Sequence, residues 1–302
     1  MIKQPAYLKK GDKVAIVSPA KKLKQSIDYA IATLEGWGLQ VVLGKSVYAA
    51  HHQFAGDDAL RTEDLQSFLD DEEIKAIIAA RGGYGTIRII DDLDFTIFNK
   101  DPKWIIGFSD ITVLLSHVMG ALQTQNIHGQ MPGTFGEATP ESLESLRKAL
   151  FGEELLYTYD SEYPNRSGDA EGILIGGNLS LLIALEGSGS AMDFKDRILF
   201  LEDVGEYEYS IDRMLRMMKR GGKLADLRGL IIGAFNHIDE EDIPFGQCVE
   251  AVIEEIVRDY DYPVCFNFPV GHIDDNRAMV LGKRAYLKVN AHHVSFRQES
   301  YM

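Results

Sequence analysis

The chain has 302 residues, 45% of them hydrophobic and 25% charged, a globular balance that excludes disordered and fibrous architectures and suggests two modest domains sharing a cleft. A formal net charge of −15 repels nucleic acid and anionic membrane surfaces, and the early basic cluster of Lys21, Lys22 and Lys24 has no aromatic interleaving to override it. The N-terminal Met-Ile-Lys-Gln-Pro lacks an apolar signal-peptide core and no run reaches bilayer-spanning length, so a soluble protein of the cytoplasm is expected.

In chain order, KVAIVS at residues 13–18 reads as a strand and 25–37 shows helical spacing that Gly38 ends, a first βα unit. VVL at 41–43 with a helix near 58–69 repeats the pattern, and IKAIIAA at 74–80 runs into the glycine-rich Arg81-Gly82-Gly83-Tyr84-Gly85. WIIGF at 104–108 precedes a helix from Ile111 to about Leu122, and another helix spans 141–150. Such alternation predicts an α/β fold whose N-terminal parallel sheet is flanked by helices, with function at the carboxyl edge of its strands. A polar, turn-rich stretch follows, so we place an N-terminal domain at 1–150, a connection at 151–170 and a C-terminal domain at 171–302. The second half carries EGILIGGNLSLL, ILFLEDV, LRGLIIGAF, a helix around 248–260, VCFNFPVGH and two late strands around Lys283 and Arg284, which predict a smaller mixed α+β domain.

Ser109 stands in G-F-S-D between a strand and a helix, where a sharp turn exposes a nucleophile, with Gly107 leaving room for it. Ile111 occupies the place of the second glycine of G-x-S-x-G, so this is not the α/β-hydrolase elbow, and Ser109 or Asp110 as a plain helix cap is the competing reading. The glycine loop matches neither phosphate-binding fingerprint. Its Gly83 amide, paired with the Asp110 amide, suits an oxyanion hole; a turn without catalytic task is the alternative. Among eight histidines, His128, His237 and His272 follow apolar strands. We favour His272 in VGHIDDN, with His237 as its rival, because Glu202 at the end of ILFLE can hold its imidazole. Cys248 and Cys265 are too few for a disulfide framework and read as buried small hydrophobes. No metal-ligand spacing occurs around His272, Asp274 and Asp275, so no metal is expected. A pair of carboxylates acting on a glycoside and a non-catalytic ligand-binding module remain formal alternatives.

Taken together, KKGDKVAIVSPA, RGGYG, GFSD, HGQM, GGNLSLL, FLED, YSIDRML and VGHIDDN resemble, nearly end to end and in order, the LD-carboxypeptidases of peptidoglycan recycling, a serine peptidase family that includes the microcin C immunity hydrolases. The resemblance implies a triad of Ser109, Glu202 and His272 with oxyanion donors at Gly83 and Asp110. It further implies a cytoplasmic homodimer, no cofactor, and a muropeptide tetrapeptide substrate that loses its terminal D-alanine; an aminoacyl-nucleotide mimic is the alternative substrate. Arg81, Tyr84 and Arg277, in the edge motifs, are expected to contact the substrate, the arginines receiving its carboxylate. Gln130 in HGQM departs from the family's more frequent proline.

Overall fold

A computed structural model describes residues 1–238 and 243–300. Its first sheet is built from β1 (Lys13–Val17), β2 (Gln40–Leu43), β3 (Ile74–Ala79), β4 (Trp104–Gly107) and β5 (Asn126–His128), all parallel in the order β2-β1-β3-β4-β5. The intervening helices α1 (Asp28–Gly36), α2 (Asp58–Asp70), α3 (Thr96–Lys100) and α4 (Thr112–Gly120) make the crossovers that parallel strands require. Because the chain moves outward from β1 to both sides, the loops after β1 and β3 flank a topological switch point, where such sheets bind ligands, and the loop after β4 opens beside it. Helix α5 (Pro140–Phe151) is capped by Thr139, whose side chain accepts from the Ser142 amide, and ends on the left-handed Gly152.

The stretch expected as a connection contributes β6 (Leu155–Asp160) and the start of β7 (Gly168–Asn178) to a seven-stranded second sheet. β8 (Arg197–Val204), β9 (Gly229–Asn236) and the short β10 (Val264–Cys265) continue from β7 in parallel. β12 (Arg284–Val289) and β13 (His293–Gln298) add antiparallel pairing between β7 and β6. The turn signal at Pro164 and Asn165 falls between β6 and β7, both of them strands of the second sheet. The two late strand patterns part in space: the first, β11 (Met279–Leu281), leaves for the first sheet and pairs antiparallel with β5, while the second is β12.

One face of the second sheet packs on the first, the other on α6 (Leu179–Ala184), α7 (Glu208–Arg220) and α8 (Val249–Val257). Alternation along β8 shows it: Ile198 and Phe200 join the core shared with the first sheet, while Leu199 and Leu201 join the core under α7 and α8. Of the two cysteines, Cys265 is buried and its thiol is pushed up to about 12 by burial, whereas Cys248, expected inside, is exposed just before α8. Among the described residues no helix is long and apolar enough to cross a membrane.

The two sheets are joined by a side chain that imitates a strand. Gln298, fully buried at the end of β13, accepts from the Val280 amide at 3.0 Å and donates to the Val280 carbonyl at 2.8 Å. β11 is an edge strand, so without Gln298 both groups would be buried and unpaired. Gln298→Ala is therefore expected to lower stability by about 2–4 kcal/mol, read as a lower urea midpoint with an unchanged denaturant slope.

Candidate active site

Ser109 follows β4 after one residue and starts a single 3-10 turn that leads into α4. Its φ is +61°, a left-handed conformation uncommon for a residue with a side chain and typical of strained strand-to-helix turns. The glycine loop lies directly over it. A Cβ at Gly82 would come within 3.0 Å of Ser109 Cβ, 3.2 Å of its Oγ and 3.3 Å of the Asp110 amide nitrogen. Gly82 was not singled out from sequence; the doubled glycine of RGGYG was its only signal, one glycine serving this close approach and the other, Gly83, a φ of +116°. Neither Ser109 nor Asp110 caps the helix by its side chain. The Asp110 carboxylate instead accepts the Thr86 amide hydrogen at 2.9 Å, binding the far end of the glycine loop.

Glu202 shares the face of β8 that carries Ile198 and Phe200, so it points at the first sheet, fully buried. Its neighbour Asp203 points the other way, accepting from Asn178 Nδ2 at 2.8 Å and from the Ser180 amide at 2.9 Å. Burial, then the charge of Glu202, pushes the Asp203 carboxyl up to about 6. Glu202 Oε2 accepts from His272 Nδ1 at 2.7 Å, which leaves Nε2 as the imidazole's outward nitrogen. Burial alone would draw the His272 pKa down, but the Glu202 hydrogen bond and the charges of Glu202 and Asp203 hold it above the ordinary histidine value. The ring of Phe108, the residue before Ser109, meets the His272 ring edge-on at 5.1 Å. Among the described residues, the His272 ring's hydrogen bond is to Glu202, and Ser109 Oγ makes none with it.

The loop bearing His272 is held mainly from the first domain. Thr139 N donates to Asp274 O at 3.1 Å, Ser142 Oγ to Asn276 O at 2.8 Å, and Ala278 N to Ser145 Oγ at 2.8 Å, so α5 grips the loop along its length. Gln130, the departure in HGQM, is buried and braces the same loop, donating to Asp274 O at 3.1 Å while accepting from Thr134 Oγ1 at 2.6 Å. Asn236 Nδ2 donates to His272 O at 2.7 Å. Gly271, at φ +113°, brings the backbone against the acid: a Cβ there would sit 2.8 Å from Glu202 Cβ. Asn236, Asn276 and Gly271 are support residues; Gly271 and Asn276 lie within VGHIDDN, which drew attention for His272, and no motif marks Asn236.

Of the other candidates, His237 is exposed and does not meet Glu202; its neighbour Asn236 does the supporting. His128 is the last residue of β5 and is fully buried between Phe108 at 5.8 Å and Phe200 at 5.0 Å. Burial pushes its imidazole down to about 4. Arg81 donates to Lys22 O at 2.9 Å, and Tyr84 is exposed beside Phe54. Arg277 is paired with Asp275 at 2.9 Å and lies over the Tyr157 ring. A cavity of about 190 Å3 opens between Phe108, Gln130, Glu137, His272 and Asp274. A larger open hollow of about 660 Å3 is formed by β6, β7, β12 and β13, away from the strand ends that carry Ser109, Glu202 and His272. Among the described residues no group of three or more His, Cys, Asp or Glu is placed to hold a metal ion. The arrangement has the parts of acyl transfer: a hydroxyl on a strained turn, amides beside it, and a carboxylate-held imidazole.

Known proteins similar to this chain include peptidases of one family. Residues 14–129 match the LD-carboxypeptidase N-terminal domain and residues 171–287 the LD-carboxypeptidase C-terminal domain. A probable murein peptide carboxypeptidase of Bacillus subtilis is 35% identical, covering 93% of this chain and 90% of its own length. The murein tetrapeptide carboxypeptidase of Pseudomonas aeruginosa is 31% identical over 92% of this chain and 94% of its own. In structure, the muramoyltetrapeptide carboxypeptidase of Oxalobacter formigenes has a TM-score of 0.86 at 28% identity, covering 96% of this chain and 99% of its own. A microcin C7 self-immunity protein bound to aspartyl sulfamoyl adenosine has a TM-score of 0.87 at 22% identity, covering 100% and 99%, a likeness of fold.

The buried, neutral His128 makes stability pH-dependent. Its folded pKa lies below its unfolded value of roughly 6.5, so its contribution is complete above that value and is lost as pH falls toward about 4. His128→Leu is expected to lose less stability than wild type between pH 7 and pH 5, measured by urea unfolding at both; equal losses would contradict this.

Proposed function

Because this chain belongs to the LD-carboxypeptidase family of peptidases, we propose that it is a serine carboxypeptidase that hydrolyses the L-to-D amide of muropeptide tetrapeptides and releases the terminal D-alanine. The observation that carries this proposal is the buried Glu202–His272 hydrogen bond of 2.7 Å beside the strained Ser109 turn. In the proposed reaction His272 Nε2 takes the Ser109 proton as Oγ attacks the scissile carbonyl carbon. The tetrahedral oxyanion is held by the Gly83 and Asp110 amides. Collapse breaks the amide bond, and the proton on His272 passes to the departing amine of D-alanine. Water, deprotonated by His272, then hydrolyses the acyl-enzyme, and the proton returns to Ser109. Glu202 keeps the imidazole in the productive tautomer and offsets its charge.

We assign the substrate carboxylate to Arg81, on the glycine loop, rather than to Arg277, whose fork is engaged by Asp275. Tyr84, exposed on the same loop, is a further substrate contact in this proposal. As the family resemblance implies, the enzyme acts as a cytoplasmic homodimer without a cofactor. One feature favours the alternative, an amidase acting on an aminoacyl-nucleotide mimic: Tyr207, at the end of the loop that follows β8, and Tyr209, in the first turn of α7, stack at 5.4 Å, partly exposed, and a base can stack on such a pair.

The direct test is D-alanine release from a muropeptide tetrapeptide in EDTA. Wild type is expected to be active and Ser109→Ala to lose at least roughly 10⁴-fold in kcat; retained activity in Ser109→Ala would refute the serine assignment. Faster cleavage of an aminoacyl sulfamoyl nucleoside than of the tetrapeptide would move the substrate to the alternative.

The pH profile provides a second test. The base must be neutral, and Glu202 holds the His272 pKa up, so kcat/KM of wild type should fall on the acid side of a midpoint above roughly 6.5. Glu202→Gln should be slower and should shift that midpoint downward. A wild-type midpoint below 6 would count against His272 as the base.

A further inference from the structure

Two buried charged side chains outside the triad converge on a single peptide group of the glycine loop. The Gly85 carbonyl accepts from Arg61 Nη1 at 3.0 Å, and the Thr86 amide, the other end of the same peptide group, donates to Asp110 Oδ2 at 2.9 Å. Arg61 lies on α2, yet its side chain points inward and has no solvent exposure. Its guanidinium also donates to Pro19 O in the loop after β1, pairs with Asp58, and sits 5.0 Å over the Phe54 ring. It therefore joins the loops after β1 and β3, which flank the switch point of the first sheet. The loop backbone rests on it: at Gly85, φ +145°, a Cβ would lie 2.8 Å from Nη1 and 3.1 Å from Ala20 Cα.

Burying an arginine costs several kcal/mol before its partners are counted, and a well-packed apolar side chain would serve stability as well. What an apolar side chain cannot do is fix the direction of carbonyl groups, which a planar guanidinium does with several donors at fixed angles. Asp110 completes the grip from the opposite side. Because Asp110 also follows Ser109 in the chain, the nucleophile turn and the glycine loop are tied into one body, with Gly82 pressed against Ser109 between them.

We propose that Arg61 and the Asp110 carboxylate are positioning residues for acyl transfer: holding the Gly85–Thr86 peptide group from both ends, they aim the Gly83 amide at the oxyanion that forms on attack by Ser109. This rests on the oxyanion assignment proposed above. Misplacing a donor by a fraction of an ångström weakens binding of the transition state more than of the substrate, so the clamp acts on kcat and hardly on KM.

The test compares Arg61→Lys, Asp110→Ala and Asp110→Asn with wild type. It reads kcat and KM for D-alanine release, the affinity of a peptidyl boronate that forms a tetrahedral adduct with serine, and thermal midpoints. Arg61→Lys and Asp110→Ala are expected to lower kcat by at least about tenfold, short of the roughly 10²- to 10³-fold of losing a donor outright, with KM within about twofold. Boronate affinity should fall by a similar factor. Asp110→Asn keeps an acceptor for the Thr86 amide and should recover most of the loss. Should Arg61→Lys fail to fold, the two Asp110 variants decide the matter. A folded Asp110→Ala with wild-type kcat and boronate affinity overturns the clamp. If wild type itself does not bind the boronate and Ser109→Ala retains turnover, the serine assignment falls, and the clamp with it.

Discussion

A carboxylate with no solvent exposure needs a hydrogen-bond partner, and Glu202 finds one in the short hydrogen bond from His272 Nδ1. That requirement shapes much of the structure around it. β8 must run between two cores so that alternate side chains face opposite ways, placing Glu202 toward the first sheet and Asp203 toward the base of α6. The chain must turn left-handed at Gly271 so that the backbone can lie against the Glu202 side chain. The His272 loop must be immobilised, or the pair would lose its geometry.

Immobilisation comes from across the domain seam. α5 binds the His272 loop through Thr139, Ser142 and Ser145, and Gln130 adds a further hydrogen bond from the loop after β5. Gln298 locks β13 to β11, and Asn178 N donates a hydrogen bond to Thr112 Oγ1 at 3.2 Å at the start of α4. The base, though carried by the second half of the chain, is thus referenced to the half that carries Ser109. Few of these contacts are ion pairs. They are directional hydrogen bonds inside a close-packed seam, where an unmade partner costs more than a surface salt bridge gains.

Much of the N-terminal half was legible in the amino-acid order. Short runs of Val, Ile and Ala separated by amphipathic stretches admit little but parallel strands with helical crossovers, and observed β1, β3 and β4 fall within one or two residues of the patterns. Ser109 and the glycine loop were visible because each follows an apolar strand, and Glu202 because it closes the apolar run ILFL, although β8 continues past it to Val204. The second half was less legible. β6 alternates buried and exposed side chains, but its short pattern is polar and adjoins the turn-rich residues that follow, so it read as a connection; β11, three residues buried on both sides, carries no alternation to reveal its partner and read as a neighbour of β12.

Local order in the chain also left choices that distance along it cannot settle. Nothing in FLED separates Glu202 from Asp203, since both faces of β8 are buried; the choice is made by which core each face meets. His128, His237 and His272 look alike as strand-end histidines. They part company only in space, where one is enclosed, one is exposed, and one meets a buried carboxylate. Arg61 reads in sequence as one more polar residue of a helix, and Gln298 as part of a polar C-terminus. Residue type and periodicity record whether a position is apolar and which turn it favours, properties set within a few residues of chain. Partnership across the seam, as between Gln298 and Val280 or Arg61 and Gly85, arises from hydrogen bonds formed only after the sheets have packed.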